Sequence, residues 1–225
     1  VSNLGPVSPS LLYTRMLACA YRTPAIHAEV RGVLTNTVFT DAYRGAGIPE
    51  SAYVVERLVD KAGRETGLGA VEIRRRNVIL AAQMPYVSPM EITYDSGDFE
   101  KNLEDCISFA DWFGFPQRRA LAHDRGKLRG IGMALYVEST VGDTNESITI
   151  QFNDNDSVTL TGGTKSSGQG HGTVFSQFLH ETLGVPFEKI IYEEGDTDTL
   201  PQGGGSGGSR STYMIGVAVK MGADK

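Results

Sequence analysis

Residues suited to ligand chemistry are concentrated in stretches that are rich in glycine. The segment 203–212 reads GGGSGGSRST, so small, hydroxyl and guanidinium groups follow one another. Because glycine has no Cβ, its backbone can approach a ligand closely. Several N–H groups aimed at one point can hold phosphate or another anion. The apolar pattern from Ser211 to Lys220 predicts a helix, so this loop leads into a helix N-terminus. A flexible Gly/Ser linker is the alternative interpretation.

Two further loops offer complementary chemistry. The segment 162–172 reads GGTKSSGQGHG and also precedes an apolar helical pattern. The segment 40–50 places Arg44 beside glycines, just before a long predicted helix. The three loops together predict a polyanionic ligand that is held by backbone amides. Gln169 would offer it an amide side chain, and Arg44 would offer it a fixed cation. A plain surface charge, or a pair for Asp41, is the alternative interpretation of Arg44.

Commoner motifs fit these loops poorly. Residues 163–166, GTKS, lack the Gly-Lys-Ser/Thr order of a P-loop. Gly203, Gly205 and Gly208 match G-x-G-x-x-G, but a polar loop separates them from the preceding strand, against the dinucleotide fingerprint. The four histidines are scattered, and we predict no metal site made of protein side chains. A nucleophile elbow is matched only inside the low-complexity glycine run, so a hydrolase triad is not predicted.

Composition narrows the classes of partner. The chain has 225 residues and a formal net charge of −6, without the clustered basic face that nucleic-acid binding needs. No apolar run approaches the roughly 18 residues of a membrane span. Cys19 and Cys106 both fall in apolar helical patterns and are predicted to be buried, reduced thiols. This usage favours a cytoplasmic protein. The chain begins at Val1 without a methionine and stops at Lys225 without a helix-ending signal, so we expect a fragment of a longer protein.

The elements that must position these loops can be predicted from periodicity and capping signals. The predicted fold class is α+β, with two mixed α/β subdomains, each incomplete, over residues 1–125 and 126–225. The residues from Glu193 to Gln202 are predicted to form a polar loop. The predicted helices are Ser8–Cys19, Pro49–Thr66, Val71–Val78, Asp98–Trp112, a short one from Pro116, one after Gly172 and Ser211–Lys220. The predicted strands are Ile26–Leu34 with Val38–Phe39 as an extension, Gly130–Glu138, Ser147–Phe152, Ser157–Thr161 and Phe187–Tyr192.

Several of these segments, taken in order, resemble one known family. They are AYRGAGIPE at 42–50, VEIRRRN at 71–77, GQGH at 168–171, GDTD at 195–198 and the glycine run at 203–212. The chain resembles the molybdopterin-binding large subunit of the xanthine dehydrogenase/aldehyde oxidase family over nearly its whole length. The resemblance implies that both subdomains are of the molybdenum-cofactor-binding type. It also implies a molybdopterin-type cofactor whose metal is held by the pterin dithiolene and not by protein ligands.

The resemblance also assigns roles to individual residues. Gln169 matches the glutamine that hydrogen-bonds an oxo ligand of molybdenum, and Arg44 matches the position that orients substrate and stabilises the charge building on it. The backbone of Gly168, Gly170 and His171 matches a segment that wraps the cofactor. A second wrapping segment is implied for Gly203, Gly204, Gly205, Ser206, Gly207, Gly208, Ser209, Arg210, Ser211 and Thr212.

The implied reaction is oxidative hydroxylation of an aldehyde or an N-heterocycle, with water as the oxygen source. The family's general base, a glutamate near the C-terminus of the large subunit, falls outside this chain. Electrons would leave through iron–sulfur and FAD groups on partner subunits or domains. The family's carbon monoxide dehydrogenases carry a copper-binding cysteine after the arginine, whereas Gly45-Ala46-Gly47 follows Arg44 here. That branch is therefore not expected.

Two other hypotheses remain open from the sequence. The glycine-rich loops could belong to a non-catalytic module that binds an anion or a nucleotide. Alternatively, the isolated piece binds nothing and its glycine-rich loops are disordered. Molybdenum in the full-length parent would favour the enzyme, and retained nucleotide without molybdenum would favour the binding module.

Overall fold

The computed structural model describes residues 5, 7–140, 145–200 and 203–225. The chain divides into two compact units, residues 1–138 (unit 1) and residues 139–225 (unit 2). Both helices and sheets are present, which confirms the predicted α+β class.

Seven helices and five strands are found in the described residues. The helices are α1 (Val7–Arg15), α2 (Ile48–Glu65), α3 (Gly69–Asn77), α4 (Phe99–Phe109), α5 (Phe115–His123), α6 (His171–Leu183) and α7 (Ser211–Ala223). The strands are β1 (Tyr86–Val87), β2 (Thr93–Tyr94), β3 (Ile148–Phe152), β4 (Val158–Gly162) and β5 (Ile190–Glu194).

Three helices of unit 1, α2, α4 and α5, begin within one residue of the predicted start. Pro49 and Pro116 lie in the first turns of α2 and α5, where the missing N–H costs no helical hydrogen bond. Asp98 is the N-cap of α4, and its carboxylate accepts a backbone N–H at 3.0 Å. These predictions are confirmed, although α4 ends at Phe109 and Trp112 begins a separate 3₁₀ turn.

A buried carboxylate, Glu56 on α2, organises unit 1. It accepts the Tyr21 hydroxyl at 2.5 Å, the Arg74 guanidinium at 2.7 and 3.0 Å, and the Leu135 N–H at 3.0 Å. Arg74 in turn donates to the Met133 carbonyl at 3.1 Å. We call these five residues the Glu56 network. Because its members come from α2, α3 and two non-helical segments, the network ties the helix pair to the chain around residues 133–135.

The three arginines at the end of α3 differ in burial and in their partners. The basic run stands in the last turn of the helix, where positive charge is favoured by the helix dipole. Arg74, however, has a fully buried side chain and forms an ion pair with Glu56. Arg75 binds the Glu104 carboxylate through two nitrogens, at 2.5 and 2.6 Å, while Arg76 is an exposed residue.

Two predicted strands of unit 1 are wrong. Residues 26–34 and the extension 38–39 carry no regular secondary structure, and Val33, Leu34 and Val38 are exposed. Residues 130–138 are likewise irregular. The β-branched and aromatic residues favour extended backbone, but a strand also needs a partner for its hydrogen-bond ladder. Among the described residues neither segment has such a partner, and the Leu135 N–H is taken by a side chain.

One of the two cysteine predictions is also wrong. Cys19 is buried, as predicted, although it lies in the turn after α1 and not inside the helix. Cys106 lies in α4 but is exposed. The buried stripe of α4 consists of Leu103 and Ile107 and is narrower than the sequence pattern predicted. The side chain of Cys106 therefore falls outside the apolar contact.

Unit 2 is a three-stranded sheet packed against two helices. The order of strands is β3-β4-β5, with β3 antiparallel and β5 parallel to the central β4. A turn at residues 153–156 joins β3 to β4, and α6 connects β4 to β5. The strands and helices predicted after residue 138 are confirmed within the described residues, except that Phe187–Lys189 forms a 3₁₀ turn and β5 begins only at Ile190. The core consists of Val158, Leu160, Phe175, Leu179, Ile215 and Val219.

Candidate cofactor-binding site

The parallel pair β4–β5 places the two glycine-rich segments at one edge of the sheet. Gly162, the last residue of β4, is in register with Glu194, the last residue of β5. The segment 163–170 follows β4 directly, and the chain after β5 leads to the segment 203–210. Since parallel strands end at the same edge, both segments leave the sheet on the same side. Ligands of α/β folds bind at this carboxyl edge. Pro201 and Gln202, within the predicted polar loop, lie outside the described residues.

The two segments touch each other. The Ser206 hydroxyl accepts the Lys165 N–H at 3.1 Å and donates to the carbonyl of the same residue. Gly203 packs so closely on Gly163 that a Cβ at residue 203 would clash with the Gly163 backbone. We call residues 163–170 the glutamine loop and residues 203–210 the glycine loop. This contact joins the two loops beyond the carboxyl ends of β4 and β5.

The glutamine loop presents its amide side chain at an apex. Gly168 and Gly170 have φ values of 97° and 74°, which L side chains rarely adopt, so the turn depends on glycine at both positions. The Gln169 Oε1 accepts the Ser167 N–H and lies 3.5 Å from the Ser166 hydroxyl. Its Nε2 has no acceptor in the described part of the chain. The Nε2 donor of Gln169 is therefore uncommitted among the described residues.

Glu194 and His171 lie beside the glutamine loop. His171 opens α6 and is buried, and its Nδ1 lies 3.3 Å from the Thr164 hydroxyl and 3.4 Å from Glu194 Oε2. The other Glu194 oxygen accepts the Ser166 N–H at 2.8 Å. Burial, reinforced by the charge of Glu194, raises the pKa of Tyr192 well above its usual value. Tyr192 therefore stays neutral at physiological pH.

Arg210 supports the glycine loop from within. Its guanidinium is buried and lies 3.0 Å from the Glu146 carboxylate, which is almost completely shielded from solvent. The same nitrogen donates to the Gly205 carbonyl at 2.8 Å. Glu146 also accepts the Gly204 N–H at 3.4 Å. The positive charge of Arg210 is thus used inside the protein, where it fixes the backbone of the loop that precedes α7.

The geometry fits an anionic, organic ligand. A Cβ added to Gly168, Gly170, Gly205 or Gly207 would meet no atom within 4 Å, so open space adjoins the backbone of both loops. His171 and Ser211 begin α6 and α7, and the first N–H groups of a helix have no intrahelical acceptor. Two helix N-termini therefore follow the two loops, and both favour negative charge. A molybdopterin cofactor carries a phosphate, whose oxygens can accept hydrogen bonds from such N–H groups.

Comparison with known proteins assigns the chain to a family. Two family models match, both described as molybdopterin cofactor-binding domain, over residues 105–225 and 1–78. The chain belongs to the molybdopterin cofactor-binding domain family. The resemblance to molybdenum hydroxylase large subunits is thereby confirmed, and so is the molybdopterin-type cofactor of the family.

Relatives and solved structures agree with that assignment. The chain is 33% identical to the carbon monoxide dehydrogenase large chain of Hydrogenophaga pseudoflava, over 92% of this chain and 28% of that protein. It is 30% identical to the xanthine dehydrogenase molybdenum-binding subunit of Escherichia coli O157:H7, over 99% and 29%. Quinoline 2-oxidoreductase from Pseudomonas putida 86 superposes with a TM-score of 0.87 at 29% identity, over 97% and 29%. The chain therefore spans less than a third of each of these relatives.

The third predicted loop, which carries Arg44, belongs to unit 1. Arg44 lies in the turn before α2, and its side chain is exposed. It forms no ion pair within the described residues, so the alternative of a pair with Asp41 is wrong, whereas the alternative of a surface charge agrees with its exposure. The Asp41 carboxylate instead accepts the neighbouring Ala42 N–H at 2.7 Å.

Sequence reasoning missed two carboxylates that shape the site. Glu194 was assigned to a polar loop, whereas the structure ends β5 at this residue. An acidic residue at the carboxyl end of a parallel strand is a recognisable signal, but it needs the strand boundary to be predicted correctly. Glu146 lies 64 residues before its partner Arg210, and no local pattern connects the two.

The described residues contain no group of three or more His, Cys, Asp or Glu side chains that could hold a metal ion. None of their helices combines the length and the apolar character that crossing a membrane requires.

Proposed function

We propose that this chain is part of the large subunit of a molybdenum hydroxylase, which oxidatively hydroxylates an aldehyde or an N-heterocycle with water as the oxygen source. Units 1 and 2 would then contain parts of two cofactor-binding subdomains, for which residues 1–125 and 126–225 are our proposed limits. The observation that carries the proposal is the contact between the glutamine loop and the glycine loop at the carboxyl edge of β4–β5, in a chain of this family.

The residues of the two loops divide the work of binding. The backbone of Gly168, Gly170 and His171 and the segment 203–212 would hold the pterin and phosphate of the cofactor. Arg210 would act in this segment through its pair with Glu146, since its guanidinium is already engaged. When bound, the cofactor supplies the two-electron oxidation of the substrate carbon. Gln169 would donate to it from Nε2, because Oε1 is held by the loop itself.

Arg44 has the charge needed at the substrate. A guanidinium that faces negative charge developing on the substrate lowers the barrier electrostatically. The exposed, unpaired side chain of Arg44 is available for that role within the described residues. The general base, a glutamate by family resemblance, would come from a part of the large subunit outside this chain.

Partners and location follow from the same proposal. Iron–sulfur and FAD groups on partner subunits or domains would accept the electrons, and the substrate would be a small aldehyde or heterocycle. Neither nucleic acid nor a membrane is a proposed partner. The two free cysteines, Cys19 and Cys106, suit a reducing compartment such as the cytoplasm.

The test uses the full-length large subunit, purified with its partners. Molybdenum and pterin analysis should give close to one equivalent of each, and a panel of aldehydes and N-heterocycles should reveal turnover. Gln169→Ala should lower turnover, whereas Gln177→Ala, which changes an exposed glutamine on α6, should not. Nucleotide retained without molybdenum would instead identify a non-catalytic binding module. The 225-residue chain alone should show no turnover, because it lacks the base and the electron acceptors.

A further inference from the structure

One carboxylate, that of Glu194, contacts the chain on both sides of Gln169, at Ser166 and at His171. Its Oε1 accepts the Ser166 N–H at 2.8 Å, and its Oε2 lies 3.4 Å from the His171 Nδ1. Ser166 precedes Gln169 by three residues, and His171 follows it by two. Glu194 therefore spans the base of a short turn whose apex is Gln169. The Thr164 hydroxyl, 3.3 Å from the same His171 nitrogen, adds a third contact at this base.

The position of Glu194 suits it to this task. As the last residue of β5, it is held by the ladder between β4 and β5, in register with Gly162. Its side chain is mostly shielded, whereas that of its neighbour Glu193 is exposed. Alternate residues of a strand point to opposite faces, so only one of the two adjacent glutamates can reach the loop. Between Ser166 and His171 the turn contains glycines at residues 168 and 170, and Gln169 Oε1 contacts Ser166 and Ser167.

We propose that Glu194 is a positioning residue for Gln169. By holding Ser166 and His171 together, the carboxylate fixes the turn that carries Gln169, an exposed residue whose Oε1 is held by the Ser167 N–H. Glu194 need not touch substrate or cofactor to affect the reaction, since a displacement of about 1 Å at a catalytic group can slow a reaction by about 100-fold. The inference rests on the proposed function of Gln169, and it adds a residue to which the family resemblance assigns no role.

Hydrogen–deuterium exchange tests the contact of Glu194 with Ser166 and His171 and does not depend on enzyme activity. In the full-length large subunit, with or without cofactor, Glu194→Ala should speed exchange in the peptide 164–171 by about tenfold or more. Glu194→Gln keeps an oxygen for the Ser166 N–H and should restore most of the protection. Glu193→Ala is the matched control and should leave exchange in this peptide unchanged. Unaltered exchange in Glu194→Ala, with the protein folded, would overturn the proposal.

A double-mutant cycle in the complete enzyme distinguishes positioning from general stability. Glu194→Ala should lower kcat by about 10- to 100-fold and change KM less. If Glu194 acts through Gln169, then Glu194→Ala combined with Gln169→Ala should have the same kcat as Gln169→Ala alone. Independent, multiplying effects of the two substitutions would show that Glu194 acts elsewhere and would overturn the proposal.

The failure of this inference can be separated from the failure of the proposed function. If Gln169→Ala has the turnover of the wild type, the proposed role of Gln169 is wrong, and Glu194 then positions no catalytic group. If Gln169→Ala is impaired while Glu194→Ala is not, only the positioning role is wrong. Both variants impaired, without additivity and with faster loop exchange in Glu194→Ala, is the expected result.

Discussion

The guanidinium of Arg210 occupies the space that a side chain on Gly204 would need. A Cβ built on Gly204 would come closer to the Arg210 nitrogen than 3.0 Å, a separation that real Cβ atoms essentially never show. Gly204→Ala should therefore displace the guanidinium from Glu146 and destabilise unit 2 by about 1–3 kcal/mol. The measurement is the unfolding free energy of unit 2, from hydrogen exchange of the core amides of α7.

Gly207→Ala is the matched control for this effect. A methyl group on Gly207 would meet no atom within 4 Å, so the unfolding free energy should change by about 0.5 kcal/mol or less. In the full-length subunit the same methyl group would enter the space proposed for the cofactor and should lower molybdenum content. Equal stability of the two variants would show that Arg210 does not depend on the glycine at 204.

The buried pair of Arg74 and Glu56 should dominate the stability of unit 1. Arg74→Met leaves the Glu56 carboxylate buried without its cation, which should cost about 3–5 kcal/mol. Arg76→Met removes an exposed pair on the same helix and should cost about 0.5 kcal/mol or less. Urea titrations of the chain can follow Trp112, the single tryptophan, which packs against the core of unit 1. Similar midpoints for both variants would contradict this assignment.

Alkaline pH should destabilise unit 1 in a predictable direction. Burial, with the charge of Glu56, raises the pKa of the Cys19 thiol from 9.0 to about 12, and burial raises that of Tyr94 from 10.0 to about 12. Between the unfolded and the folded pKa of each group, the unfolded state loses a proton that the folded state keeps. The free energy of unfolding should therefore fall as pH rises from about 9 towards 12. Cys19→Ala should flatten the decline, as measured by urea midpoints at pH 8 to 11.

The two thiols provide an independent check of the same environment. At pH 8 an alkylating reagent should modify the exposed Cys106 rapidly and Cys19 only after denaturant is added. Peptide mass spectrometry distinguishes the sites. Rapid labelling of Cys19 in the folded protein would mean that its surroundings are open to solvent, and the predicted alkaline slope would then lose its basis.

Arg44 should affect turnover more than folding. In the full-length enzyme, Arg44→Gln should lower kcat by about 10²- to 10³-fold, because an electrostatic contact to developing charge is lost. Arg57→Gln changes another exposed arginine, on α2, and serves as the control. Steady-state kinetics and molybdenum content together decide the outcome. If the variant loses as much molybdenum as turnover, Arg44 acts in cofactor binding and not in stabilising charge on the substrate.

Local signals explain which parts of the fold could be predicted. Asp98, Pro49 and Pro116 mark helix starts by their own chemistry, and the structure confirms the helices that follow them. The segments 26–34 and 130–138 were predicted wrongly because extended backbone and strand pairing are different properties. The first can be read from β-branched residues, whereas the second depends on a partner that is remote in the chain.

The candidate site shows the same division. Glycine at residues 168, 170 and 203 could be recognised from the sequence, because glycine is needed where backbone approaches other backbone or a ligand. The buried states of Arg210 and Arg74 could not, since each depends on a carboxylate from another element. Local patterns therefore indicated where a ligand could bind, but not which side chains hold the loops in place.

The hydrogen bonds of the Glu56 carboxylate determine how short an expressed fragment of unit 1 can be. Leu135, one of its donors, lies 79 residues further along the chain, while the family model that begins at residue 1 stops at residue 78. A fragment that ends at residue 78 would contain Glu56 and Arg74 but not the backbone of residues 133–135, which completes their hydrogen bonds. A fragment intended to fold should therefore extend beyond Leu135, and shorter fragments should aggregate or be degraded.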